Sequence, residues 1–86
     1  MTGPRRLYGP VPARVGVRHD GLPRSVDGQA VDAIRETWLV EDRWWTADPV
    51  RRRYWELVTE RGELVVVFRD LLAGGRWFRQ RGTAGS

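Results

Sequence analysis

The chain has 86 residues, fifteen Arg, no Lys, eleven acidic side chains and a formal net charge of +4. A single domain of this size buries only about 60–65% of its unfolded surface, so the core must be small and built largely from five Trp, two Tyr and two Phe. The absence of Cys removes disulfides, thiolate metal sites and cysteine nucleophiles, and with no apolar run of membrane-spanning length and no signal-like N-terminus a cytoplasmic location is expected.

Residues 1–12, with Gly3, Pro4, Gly9, Pro10 and Pro12, are expected to form an extended arm anchored through Leu7 and Tyr8. From Ala13 to Arg18 the pattern predicts a first strand, then a turn at Asp20-Gly21 and a short strand around Ser25. A second turn follows at Asp27-Gly28, where both residue types tolerate positive φ. Gln29 to Val40 is ambiguous. Val31, Ile34, Trp38 and Leu39 fit one helical face, yet the β-branched and aromatic content also suits a long bent strand, and the tight turn just before it favours the strand. Glu41 to Val50, carrying Trp44-Trp45 and Asp48-Pro49, reads as a loop.

Arg51 to Asp70 is the central hairpin: two runs of β-branched and aromatic residues around Gly62. A two-residue loop at Arg61-Gly62 would set Leu57 opposite Val66, Trp55 opposite Phe68 and Arg53 opposite Asp70, with all of these on the inward face. Val58/Val65, Glu56/Val67 and Tyr54/Arg69 would then share the other face. A three-residue loop would move Glu56 beside Val66 and is the less favoured register, although Arg61 is a poor first residue for a type I′ turn. A last turn at Gly74-Gly75 leads to a strand over 76–80, and residues 82–86 are expected to be a disordered tail. The expected fold is all-β, an antiparallel meander of about six strands curled into a small barrel or sandwich over residues 13–81.

The charge is banded: residues 1–24 carry +4, residues 25–50 carry −4 and residues 51–86 carry +4. Arg interleaved with aromatics suits phosphate contact and base stacking. An all-Arg basic set is equally the product of a GC-rich genome. Three aromatic doublets stand out: Trp44-Trp45, Tyr54-Trp55 and Trp77-Phe78. Strand neighbours point to opposite faces, so the last two doublets each send one ring outward. Either that surface docks a partner, or the N-terminal arm and the Trp44 loop fold over it. His19 beside Asp20 reads as a solvated turn residue rather than a metal ligand. Glu41, Asp42 and Asp48 match no calcium loop, and no nucleophile motif flanks Ser25 or Ser86.

The succession Trp38, Asp42-Arg43-Trp44-Trp45, Arg53-Tyr54-Trp55, Gly62, Phe68-Arg69-Asp70 and Gly75-Arg76-Trp77-Phe78 resembles the C-terminal segment of ImuB-like proteins. These are inactive Y-family polymerase homologues of the bacterial SOS mutasome. It also resembles short stand-alone actinobacterial proteins of uncharacterised function that carry the same segment. The likeness runs from about Val15 to Gln80, its first half resting on the Gly21-Leu22-Pro23 turn. It implies a role in DNA damage response and translesion synthesis through contact with other proteins. The polymerase body, clamp-binding motif and DNA-binding domains of that family have no counterpart here, and a shared fold alone does not carry function.

The expected function is therefore a non-enzymatic module that needs no cofactor or metal and binds a protein of the repair or replication machinery through Trp44, Trp45, Tyr54 and Trp77. The rival reading is single-stranded nucleic-acid binding, with Arg51, Arg52, Arg53, Arg69, Arg76 and Arg79 on phosphates and Tyr54 or Phe78 stacking a base. A structural or oligomerising domain fits the strand edges equally well. Dialysis against a strong chelator is expected to leave the Tm unchanged; a clear drop would return His19 to consideration as a ligand.

Overall fold

A computed structural model describes residues 10–72 and 74–80. Seven strands form one antiparallel sheet: β1 (Val11–Pro12), β2 (Val15–Val17), β3 (Pro23–Val26), β4 (Gln29–Asp42), β5 (Val50–Thr59), β6 (Leu64–Asp70) and β7 (Arg76–Arg79). Their order is β1-β7-β6-β5-β4-β3-β2, a meander from β2 to β7 with β1 added beside β7. The two ends of the sheet are thus consecutive in the chain, separated only by Ala13 and Arg14. Val11 to Val17 spans at most about 20 Å, which forces the sheet to curl until β7 and β3 nearly meet. The result is a half-barrel.

At the seam the N-terminal strand changes partners. The Ala13 amide donates to the Trp77 carbonyl at 3.1 Å, whereas the Arg14 carbonyl accepts from the Asp27 amide at 2.8 Å. The Asp27 carboxylate ties the junction together, accepting from the Arg14 amide at 2.9 Å and from the Arg79 guanidinium at 3.2 Å. Asp27 and Gly28 have φ of 47° and 87°, the left-handed pair that a two-residue hairpin between Val26 and Gln29 requires.

Two boundaries differ from the sequence reading. Val11 and Pro12 belong to the sheet rather than to an arm, because β1 is a terminal strand and Pro12 can sit opposite Phe78 without losing a ladder donor on its free side. The predicted 41–50 loop shrinks to residues 43–49, since β4 runs on to Asp42 and pairs with Val50. The arm expected over residues 1–9 and the tail expected over residues 82–86 lie outside the described residues.

The central hairpin is in the register that sequence reasoning disfavoured. Leu57 faces Val65, Glu56 faces Val66, Trp55 faces Val67 and Tyr54 faces Phe68, with Arg53 opposite Arg69 and Arg52 opposite Asp70. The cause is a three-residue loop, Glu60-Arg61-Gly62, closed by Thr59 and Glu63. Gly62 holds φ of 81°, as the last position of such a loop demands, while Arg61 is not among the positive-φ residues that a two-residue type I′ turn would need. Thr59 organises the turn. Its amide donates to the Glu63 carbonyl at 2.9 Å, its carbonyl accepts from Gly62, and its buried hydroxyl accepts from the amides of Arg61 and Glu63.

One residue of slip exchanges the two faces of a strand. The inner face therefore carries Trp55, Leu57, Val65 and Val67, packed with Val26 and flanked by Val15, Val31, Ile34 and Trp77. Val66 is not inward. Phe68 is buried as expected, at 1% exposure, but on the outer face. In β4 the register shifts between Val31 and Ala33 and again between Ile34 and Glu36, and these bulges bend the long strand over the core.

The observed register yields a direct test. Val65→Lys should abolish cooperative unfolding, because it buries an unpaired charge beside Leu57. Val66→Lys, on the outer face opposite Glu56, should retain a wild-type circular dichroism spectrum. The reverse ranking would restore the two-residue loop.

Candidate protein-docking surface

The long β4–β5 hairpin runs past the body of the sheet. Its last pairs are Glu41 with Arg51 and Asp42 with Val50, and β6 follows it only to the level of Arg52. The tip is held by local hydrogen bonds. The Arg43 amide donates to Asp42 Oδ1 at 2.8 Å, the Thr46 amide and hydroxyl both donate to the Arg43 carbonyl, and the Asp48 amide donates to Thr46 Oγ1. Arg43 takes φ of 51°, a left-handed conformation uncommon outside glycine, and so turns the chain sharply before the Trp pair.

On this frame Trp44 and Trp45 are 74% and 65% exposed. Their rings meet edge to face, with centroids 5.5 Å apart and planes at 88°. Such a contact contributes about 0.5–1.5 kcal/mol and restrains each ring against the other. At the same end of the sheet Leu39, Leu71 and Leu72 are also exposed, with the Leu71 amide donating to the Arg51 carbonyl. Arg51 and Arg53 of β5 lie between Leu39 on β4 and the end of β6.

Tyr54 and Trp77 lie elsewhere, on opposite faces. Tyr54 belongs to a row of rings on the outer face, in which the pairings Trp38↔Tyr54, Tyr54↔Phe68 and Phe68↔Phe78 place four aromatics on four adjacent strands. Centroid separations along the row are 5.3, 4.9 and 5.2 Å. Trp38 is stacked at 5° on Tyr54, and the Arg52 guanidinium lies 4.6 Å above the Phe68 ring. Trp77 faces inward, 4.9 Å from Trp55. The structure therefore brings together only Trp44 and Trp45 of the four expected docking residues.

The six arginines of the nucleic-acid reading do not form one surface. Strand alternation puts Arg52 and Arg76 on the outer face and Arg51, Arg53, Arg69 and Arg79 on the inner one. Arg51 pairs with Glu41 at 3.0 Å and Arg79 with Asp27 at 3.2 Å. Arg69 lies 5.5 Å from the Trp77 ring centre and donates Nε to the Gly75 carbonyl at 3.0 Å. Gly75 has φ of 72°, the left-handed conformation that favours glycine, and a Cβ there would push on the end of the Arg69 side chain. Phe78 is half-buried and stacked on Phe68.

Sequence reasoning did not assign Trp38, Leu39, Leu71 and Leu72 to the surface. The signal for Trp38 was its place opposite Tyr54, legible only once the β4–β5 register is known. Among the described residues no group of three or more His, Cys, Asp or Glu side chains is placed to hold a metal, and no helix is long and apolar enough to cross a membrane. Comparison with protein families, curated proteins and solved structures finds no match to this chain.

The exposure of the doublet is measurable. Trp44→Phe/Trp45→Phe should remove the larger part of the fluorescence that acrylamide quenches, because of the three remaining indoles Trp55 is buried, Trp77 is half-buried and Trp38, at 37% exposure, is stacked on Tyr54. Stability should change by no more than about 0.5 kcal/mol, as for surface substitutions generally. A double variant that quenches like the wild type would place the indoles inside.

Proposed function

We propose that this chain is a non-enzymatic protein-interaction module whose contact is the β4–β5 hairpin tip, with Trp44 and Trp45 as anchors and the exposed Leu71 and Leu72 at the same end of the sheet. The observation that carries this reading is a pair of adjacent indoles held in solvent by an ordered loop. Exposed aromatics of this kind become hot spots when a partner desolvates them, and a pre-ordered loop lowers the entropy lost on docking. The partner class is a protein of DNA repair or error-prone translesion synthesis. That assignment rests on the resemblance to the C-terminal segment of ImuB-like proteins, and a cytoplasmic location on the cysteine-free composition.

Single-stranded nucleic-acid binding draws less support. Arg51, Arg52, Arg69 and Arg79 already make contacts within the chain. Tyr54 lies between Trp38 and Phe68, so stacking a base on it would also displace a neighbouring ring.

The test is a calorimetric titration against purified members of the translesion mutasome, in parallel with a labelled single-stranded oligonucleotide. Trp44→Ala/Trp45→Ala should weaken protein binding by tenfold or more. Arg51→Gln/Arg52→Gln/Arg53→Gln should have a smaller effect. Oligonucleotide affinity that collapses between low and moderate salt, with the arginine triplet outranking the Trp pair, would overturn the proposal in favour of phosphate recognition.

A further inference from the structure

Strand β4 has a partner on one side only for most of its length. β5 pairs with it from Val31 to Asp42, whereas β3 pairs only with Gln29 and Ala30. Among the described residues nothing is paired with its other edge from Val31 to Asp42. The two bulges roughen the first part of this edge. From Glu36 to Asp42 it is regular, without Pro, Gly or Lys, and contains Thr37, Trp38, Leu39 and Val40. Native proteins usually protect such an edge, since its free amides and carbonyls are a template for a further strand.

Three further features lie on this edge, two within the regular stretch and the third, Arg35, at the bulge beside it. Trp38 uses one ring face to stack on Tyr54 and remains 37% exposed, at the end of the outer aromatic row. Leu39, on the inner face, is 38% exposed. Arg35 is exposed and takes part in none of the ion pairs among the described residues.

We infer that the free edge of β4 pairs antiparallel with β4 of a second copy of this chain, about a two-fold axis at Trp38. In an isologous contact every pairing occurs twice, so the segment must complement its own reverse. An axis at Trp38 sets Glu36 opposite Val40 of the second copy and Thr37 opposite its Leu39. It also brings Arg35, at the second bulge, opposite Glu41 of that copy, so that Glu41, already bridged to Arg51 of its own chain at 3.0 Å, takes a second guanidinium in a pair formed twice. The neighbouring registers fail on charge. An axis at Thr37 sets Asp32 against Asp42, and an axis at Leu39 sets Glu36 against Asp42 and Arg35 against Arg43.

The axis at Trp38 has two structural consequences. The uncovered face of Trp38 meets its symmetry mate, because directly opposed residues have Cβ atoms about 4.5–5.5 Å apart. The two four-ring rows then join into one that crosses the dimer. Each Trp44-Trp45 tip begins six residues from the axis, about 20 Å away at 3.3 Å per residue. The tips therefore point to opposite ends and stay free, whatever partner they take.

Sedimentation equilibrium at high micromolar concentration tests this, with circular dichroism to show that each variant is folded. The wild type should sediment as two chains. Arg35→Glu should weaken the dimer by about tenfold, as both symmetry-related pairs become like-charged. Glu41→Arg should weaken it at least as much, since it also breaks the bridge to Arg51 within the chain. Combining the two should restore it. Trp44→Ala/Trp45→Ala should dimerise like the wild type even where it loses partner binding, so failure of the edge and failure of the tip give different results. A wild type that sediments as one chain, charge reversals without effect, or a dimer lost with the Trp pair would overturn the inference.

Discussion

The structure depends on where the central hairpin turns. Thr59 closes three residues, Glu60 to Gly62, rather than two, and Gly62 supplies the left-handed conformation that ends the loop. That single extra residue decides that Leu57, Val65 and Val67 meet inside and that Phe68 joins Tyr54 outside. A two-residue turn would have paired Tyr54 with Arg69 and placed Val66 in the core. Cross-strand pairs stabilise by at most about 1 kcal/mol each. The choice of register, by contrast, moves the whole apolar set from one face to the other. The turn is small, but its hydroxyl and backbone bonds outweigh the more attractive side-chain pairing.

An apolar outer face follows from this register and has to be accommodated. The half-barrel does so by standing its outer aromatics in a row, each covering its neighbour's ring face, with the Arg52 guanidinium laid over Phe68. Guanidinium over a ring face contributes about 0.5–2 kcal/mol, according to how far it is desolvated, and its aliphatic stem shields apolar area as well. The core of this small domain is thus two-sided. Trp55 and Trp77 fill the inside, and the Tyr54–Phe68–Phe78 stack seals the outside.

Much of the fold was legible from turn chemistry. Asp27-Gly28 forms the expected two-residue hairpin, and the chain is all strand with the central pair where the β-branched runs placed it. The ambiguity of residues 29–40 has a physical origin. Two bulges each add a residue to β4, so the inward positions Val31, Ile34 and Thr37 fall three apart, the spacing of a helical face. The hairpin register was not legible, because side-chain pairing favours one loop length and the Thr59 bonds favour another. At the candidate site, Trp44 and Trp45 were readable as a loop doublet in front of Asp48-Pro49. Tyr54 and Trp77 were not readable as covered residues, since alternation says which face a ring occupies and nothing about what stacks on it.

The strand that closes the half-barrel is made first and is completed last. Val11 and Pro12 pair with Phe78 and Arg79, near the far end of the chain, while Val15 to Val17 pair locally with β3. During synthesis the hairpins from β2 to β6 can therefore form as they emerge, and Arg14 can bond Asp27 with them, but the Ala13 side of the seam must wait for β7. Closing a loop of that length adds an entropic cost to the final step, which is the pattern that slows folding in sheets rich in distant contacts. Until Trp77 arrives, the inner face of Trp55 has no lid. Until β7 emerges the growing chain thus carries an open, apolar half-shell, the kind of transient surface most exposed to aggregation.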